Sequence, residues 1–105
     1  MVSLVFRTLI ILPEAEQDTA KAYNWYEEQE PGLGEEFLRC TDARIQLIRR
    51  NPEIYQVVHE TYRKAIVRRF PYVIFYDHSE TIVTVYAVLH CSQNPKKWQN
   101  RLGKF

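Results

Sequence analysis

The sequence predicts an α+β fold in which an N-terminal strand and an antiparallel αα-hairpin pack on an antiparallel β-sheet, in the order β-α-α-β-β-β-β. Three observations carry this expectation. Residues 62–91, YRKAIVRRFPYVIFYDHSETIVTVYAVLHC, are dominated by β-branched and aromatic side chains in rough alternation, punctuated by turn residues, and read as three successive antiparallel strands. Upstream, two stretches with apolar residues at helical spacing are separated by little more than Pro31-Gly32. The chain of 105 residues is 46% hydrophobic and 26% charged, which suits one folded domain over 1–105 with a single core.

The first element is the apolar run MVSLVFRTLIIL. Arg7 interrupts it, no basic region precedes it and it is too short to cross a bilayer. It is read as a buried first strand that pairs with a strand of the C-terminal sheet, and the protein as cytoplasmic with no membrane partner. Pro13-Glu14-Ala15-Glu16 opens a helix, because proline suits the first turn and acids there complement the helix dipole. Ala15, Thr19, Ala22, Tyr23 and Tyr26 share one side of it, and Trp25 lies off that stripe. After Pro31-Gly32 a second helix begins at Leu33 or Gly34. Glu35 and Glu36 occupy its first turn, Leu33, Phe37, Thr41, Ile45 and Ile48 run down one side, Arg49 and Arg50 complement its C-terminal dipole, and Asn51-Pro52 ends it.

Residues 54–60 supply another strand. The strand expected over 63–70 puts Arg63, Ala65, Val67 and Arg69 on one face and Lys64, Ile66, Arg68 and Phe70 on the other, and Pro71 then breaks the ladder. A polar turn, Asp77-His78-Ser79-Glu80, joins strands at 72–76 and 81–90. In the last strand Val83, Val85, Ala87 and Leu89 form the face that the helical hairpin should cover. Ile82, Thr84, Tyr86, Val88 and His90 form the face left for chemistry or a partner. Past a turn at Asn94-Pro95, a helical turn lays Trp98 and Arg101 on one side.

Composition narrows the function. A formal net charge of +1 is a poor fit to a protein that grips many phosphates. The two cysteines, Cys40 and Cys91, have no Cys or His nearby at ligand spacing and are read as buried free thiols. No cofactor and no metal are implied.

Several short patterns then fall in a familiar order. They are Trp25-Tyr26-Glu27 and Gly32-Leu33-Gly34 at the hairpin, Asn51-Pro52, Arg63-Lys64-Ala65, Arg69-Phe70-Pro71-Tyr72 with Ile74 and Tyr76, and Ala87-Val88-Leu89-His90 followed by Pro95, Trp98 and Arg101. Together they cover nearly the whole chain and resemble the RelE/ParE superfamily of bacterial type II toxin–antitoxin toxins, in its ParE-like branch. The resemblance implies a small toxin neutralised by a cognate antitoxin, a disordered segment of which folds onto it as helix or strand. It also allows a heterotetramer with that antitoxin. Two activities compete within the superfamily. RelE-like members cleave messenger RNA on the ribosome, and ParE-like members poison DNA gyrase without a known nuclease site.

Cleaving RNA through its own 2′-OH needs a group to take that proton, cations to stabilise the phosphorane and an acid for the leaving oxygen. Arg63, Lys64 and Arg69 are the candidate cations, and an imidazole, which titrates near neutral pH when free, makes His90 the candidate acid or base. RelE-like nucleases, however, carry an arginine shortly after the last core strand and a tyrosine a few residues on. The matching positions here hold Gln93, which is uncharged, and Trp98, whose indole is no useful general acid.

The ParE-like reading therefore leads, with Arg63, Arg69, Tyr86, His90, Trp98 and Arg101 as target-binding candidates and Tyr23, Trp25, Tyr26 and Phe37 as antitoxin-binding candidates. The alternatives are a metal-independent, ribosome-dependent endoribonuclease and a decayed toxin retained as an antitoxin-binding module. Structural roles compete at each position. His90 can bond the C-terminal turn, Arg63 and Arg69 can pair with Glu27, Glu30 or Glu36 instead of lining a groove, and Trp98 can pin the tail to the sheet. Tyr23, Tyr26 and Tyr86 can be core residues with wet hydroxyls.

Overall fold

The computed structural model describes residues 6–103. Its elements are β1 (Thr8–Ile11), α1 (Pro13–Gln29), α2 (Leu33–Arg50), a 3-10 turn at Pro52–Ile54, β2 (Gln56–His59), β3 (Tyr62–Ile66), β4 (Tyr72–His78), β5 (Ile82–His90) and α3 (Pro95–Leu102). The expected α+β order is borne out. Pro13 starts α1, and the chain leaves it through an extended Glu30 and a left-handed Gly32 (φ 92°), a conformation that glycine adopts without steric cost. Glu27 completes the hairpin: its carboxylate accepts from the backbone N–H of Gly32 (3.0 Å) and of Gly34 (2.9 Å), covering donors at the start of α2 that no carbonyl reaches.

The five strands lie in the order β1-β5-β4-β3-β2. The hairpin packs Ala15, Ala22, Tyr26, Phe37, Ile45 and Ile48 against Ala65, Val67, Ile74, Tyr76, Val83, Val85 and Val88 of the sheet and its flanks. Phe37 and Ile48 are fully buried, and trimming either to alanine would cost about 2–5 kcal/mol. Tyr76 donates its hydroxyl to the Pro52 carbonyl at 2.6 Å, which ties β4 to the turn after α2. At the other end, Arg49 Nε donates to the Arg7 carbonyl (2.7 Å) and Arg7 Nη1 to the Arg49 carbonyl (3.1 Å), so the end of α2 and the start of β1 hold each other.

Five expectations need correction. β1 pairs with β5 in parallel, so the sheet is mixed and not wholly antiparallel. The successive links from β1 to β5 fold the chain back an even number of times, which returns it to its starting direction. β1 is also an edge strand: Leu9 and Ile11 pack on the core, whereas Ile10 is exposed, and residues 1–5 of the expected strand lie outside the described residues.

The face of β5 expected to be continuous is split. Phe75 pairs with Ala87 but Tyr76 pairs with Val85, leaving Tyr86 as the extra residue of a β-bulge. Val83, Val85 and Val88 therefore face the hairpin, while Ala87 and Leu89 face the other way with Val73, Phe75 and Leu102. β3 stops at Ile66 instead of running to residue 70, because the chain turns through Arg68 and Arg69, the latter at φ 73°. Finally, Cys40 is half-buried and Cys91 exposed, the latter because it lies just past the end of β5.

Candidate functional site

The sheet face away from the hairpin carries a cleft, and α3 makes it. Asn94 caps this helix by accepting from the Lys96 N–H (2.9 Å), and Pro95 occupies its first position. From there Leu102 is buried among Val73, Phe75, Ala87 and Leu89, and Trp98 stacks on Phe75 with ring centroids 5.2 Å apart and planes 15° from parallel. Beside this stack lies a hollow of about 380 Å³. Val73, Phe75 and Leu89 floor it, and Lys64, His90 and Trp98 stand around it with Gln93 and Asn94.

The helix is anchored where the sheet is open. β1 ends opposite Val85, so among the described residues β5 has no strand neighbour on that side beyond it. Asp18 of α1 fills the gap: its carboxylate accepts from the Val88 N–H (3.0 Å) and from Arg101 at 2.8 and 3.1 Å. Arg101 also donates to the Tyr86 carbonyl at 3.4 Å. The bond to Asp18 raises the pKa of the Arg101 guanidinium, so its charge is secure.

The residues singled out from sequence divide into three groups. Lys64, His90 and Trp98 share the cleft. His90 Nδ1 accepts from the Ser92 N–H at 3.0 Å with the Ser92 hydroxyl 2.8 Å away, so in the neutral ring the proton sits on Nε2, which donates and does not accept. Its ring stands edge-on to Tyr72 at 5.2 Å. Lys64 makes no ion pair among the described residues.

Arg63 and Arg69 do not join them, nor do they share one groove. Arg63 faces the hairpin side and donates to the carbonyls of Glu53 (3.0 Å) and Tyr55 (2.7 Å). Arg69, displaced by the turn that ends β3, pairs with Glu36 at 2.6 Å. Tyr86 leans on Tyr62 and donates to Asp77 at 3.2 Å; burial pushes its phenol up to about 12, and burial likewise raises the Asp77 carboxyl. Arg101 is the anchor described above.

The four aromatic candidates on the hairpin also separate. Tyr26 (8% exposed) and Phe37 (0%) lie in the core with Phe70 and Tyr72, so neither offers a docking surface. Tyr23 is half-buried, its hydroxyl 3.5 Å from Glu35, and Trp25 alone stands out, 55% exposed.

Sequence reasoning missed two contributors. Asp18 had a signal, since it falls three residues after Ala15 and four before Ala22, on the buried side of α1 where an acid needs a partner. Phe75, the lower half of the aromatic stack, had none, because β4 is apolar on both faces, Val73 and Phe75 alternating with Ile74 and Tyr76.

Comparison with known proteins places this geometry. A family model described as the ParE toxin of the type II toxin–antitoxin system parDE matches residues 9–95. Among solved structures, a chain of the chromosomal ParDE TA system from P. aeruginosa is similar in fold, with a TM-score of 0.71 at 10% identity over 81% of this chain and 96% of that one. No curated protein matches the sequence. The family match spans the hairpin, the sheet and the start of α3, so the chain belongs to the ParE toxin family of type II toxin–antitoxin systems.

Proposed function

We propose that this toxin acts by docking its cleft on a cellular target, with DNA gyrase the candidate, and that a cognate antitoxin neutralises it. The observation that carries the docking reading is the dispersal of the nuclease set. Of Arg63, Lys64, Arg69 and His90, only Lys64 and His90 border the cleft, and the two arginines are engaged elsewhere. A single free cation among the described residues of the cleft is thin support for a phosphorane, which spreads its charge over several oxygens. The cleft's apolar floor, its stacked Phe75 and Trp98 and its sparse polar rim suit an anchoring side chain of a protein partner.

A second reading keeps one observation in its favour: Lys64 and His90 do face the same hollow, as a ribosome-dependent endoribonuclease acting on messenger RNA would need. Two reactions on the purified protein separate the readings, supercoiling by gyrase and cleavage of a message on translating ribosomes. Docking is supported by gyrase inhibition that Lys64→Glu or Trp98→Ala abolishes while Arg69→Ala, outside the cleft, retains it. Message cleavage lost in Lys64→Ala and His90→Ala would overturn docking in favour of the nuclease. Silence in both reactions would point to a decayed toxin that only binds its antitoxin or to another target.

A further inference from the structure

A second hollow, of about 470 Å³, opens where the C-terminal half of α1 meets the start of β4 and the end of β5. Trp25, Tyr26, Pro71, Tyr72, His90 and Ser92 line it, and its size is that of a small-molecule site. Trp25 is 55% exposed and meets Tyr26 edge-on at 5.1 Å, so most of its indole is free to cover another flat ring. Tyr26 is only 8% exposed, yet its hydroxyl makes no hydrogen bond among the described residues. Of the side-chain polar atoms without a partner, only the Thr41 hydroxyl is sealed. The Tyr26 ring therefore stays in the core while its hydroxyl opens outward, into the hollow that it lines.

The Tyr72 hydroxyl is likewise without a hydrogen bond among the described residues. Burial raises both phenols, so both keep their protons at neutral pH and can donate as well as accept. A polar group as well covered as that of Tyr26 forfeits stability unless an occupant of the hollow bonds it. An adjoining hollow of about 290 Å³ shares Trp25 and Tyr72 with the first and reaches α3. Lys21 and Lys97 line it, and neither makes an ion pair among the described residues. Asp18, the acid at its floor, is already engaged by Arg101 and the Val88 N–H. Two open ammonium groups above a neutralised pair make this end positive. It suits one phosphate, a smaller demand on a chain of formal net charge +1 than a whole phosphate backbone.

We propose that the two hollows form one nucleotide site, in which a base lies against Trp25 with its edge on the Tyr26 and Tyr72 hydroxyls and its phosphate sits between Lys21 and Lys97. Aromatic rings take any base by its face, and hydroxyls that both donate and accept select no particular edge, so the site recognises a nucleotide without choosing its base. The unit bound is either a free nucleotide or one residue of a single strand, since both present the same base and phosphate. His90 and Gln93 reach the rims of both this site and the cleft, but Trp25, Tyr26, Lys21 and Lys97 belong to this side alone or to its neighbouring hollow. Nucleotide binding therefore does not depend on how the cleft is used.

Calorimetric titration of the purified protein with adenosine 5′-monophosphate (AMP), adenosine, inorganic phosphate and a short single-stranded RNA tests the site. AMP is expected to bind with a Kd of about 0.1 mM, and about tenfold more tightly than adenosine or phosphate. Trp25→Ala should weaken AMP about tenfold. Tyr26→Phe, which keeps the ring in the core, should weaken it about fivefold. Lys21→Ser/Lys97→Ser should bring AMP down to the affinity of adenosine, whereas Arg50→Glu, exposed at the far end of α2, should stay within about twofold of wild type. Thermal unfolding confirms that each variant is folded. As a readout independent of the variants, the indole N–H resonance of Trp25 shifts on adding AMP while that of Trp98 holds still. RNA bound about tenfold more tightly than AMP identifies a strand as the source, and RNA bound no more tightly identifies a free nucleotide. AMP and RNA both undetected at about 5 mM, or AMP bound equally well by Trp25→Ala and Tyr26→Phe, overturns the site. AMP binding that Lys64→Glu removes and Trp25→Ala keeps overturns it too, because the nucleotide would then lie in the cleft.

Discussion

Removing the Asp18 carboxylate should loosen the whole open edge of β5. The wild-type group takes a backbone N–H from Val88 and a two-point contact from Arg101 at 2.8 and 3.1 Å, and its side chain is only 11% exposed against 23% for Arg101. In Asp18→Ala the Val88 N–H loses its only partner among the described residues and the Arg101 charge stays three-quarters covered. A stranded buried donor costs roughly 1–2 kcal/mol, and a guanidinium left largely covered without its carboxylate costs a similar amount as it turns to water, so the sum is about 3 kcal/mol. For a domain of this size that corresponds to a fall in melting temperature of about 15 °C. Asp18→Asn keeps one acceptor oxygen, enough for the Val88 N–H and one arm of Arg101, but replaces the other with an NH2 that cannot accept and removes the charge, and should cost about 1–2 kcal/mol.

Urea unfolding followed by far-ultraviolet circular dichroism measures both costs, and hydrogen exchange at Val88 reports the edge directly. Asp18→Ala within about 0.5 kcal/mol of wild type, with Val88 still protected, would refute the claim that this side-chain pair closes the ladder where β1 ends, since surface changes of no consequence fall in that range.

Other expectations follow from single contacts. Glu27→Ala removes the acceptor of two N–H groups at the start of α2 and should cost about 1–2 kcal/mol in urea unfolding, with Glu27→Gln losing less. At Gly34 an added Cβ would lie 2.8 Å from the Tyr23 ring and from its carbonyl oxygen, so Gly34→Ala should cost about 1–3 kcal/mol by forcing the helices apart. Gly32→Ala, which meets open space at φ +92°, should cost about 1–2 kcal/mol by backbone strain alone. Burial raises the phenols of Tyr76 and Tyr86 above 10.0, the latter to about 12. Folded protein thus keeps protons that the unfolded chain sheds, and stability present below pH 10.0 should be lost as pH climbs toward 12; Tyr86→Phe should flatten that decline in denaturation measured across this window. Asp77, raised by burial from 3.8, gives the same sign at acid pH: stability relative to Asp77→Asn should fall as pH rises past 3.8, and a constant difference would show that Asp77 is not so perturbed.

Local chemistry was legible in the sequence, and long-range partnership was not. Pro13, Pro31-Gly32 and Asn51-Pro52 bound the helices because proline and glycine act on the backbone where they stand. The buried positions of α2 could be read from spacing alone, and Phe37, Thr41, Ile45 and Ile48 are all buried. Arg63 and Arg69 misled because counting in twos assumes an unbroken strand, whereas the turn at Arg68 and Arg69 takes the second arginine to Glu36 on another element. The direction of β1 was equally hidden, since its register is set by strand β5, far along the chain. Of the residues read as functional, Lys64, His90 and Trp98 converge, the first two on the sheet and the last brought over it by α3, whose docking depends on Asp18.

The cleft itself follows from one residue too many in β5. Without the bulge at Tyr86, strict alternation would send Ala87 and Leu89 toward the hairpin with Val83 and Val85, and would turn Val88 toward the cleft. Leu89 would then leave the floor, and Leu102 of α3 would lose Ala87 and Leu89 from its site. The same insertion falls just past the end of β1, where β5 has lost its neighbour strand and its backbone must find side-chain partners. Asp18 and Arg101 supply these at Val88 and Tyr86, so the pair that repairs the broken ladder also fastens the helix that walls the cleft. A variant that deletes Tyr86 should therefore lose the target binding proposed for the cleft while its hairpin core, held by Phe37, Ile45 and Ile48 on α2, retains most of its helical signal. Target binding unchanged by the deletion would mean that the cleft does not depend on the bulge.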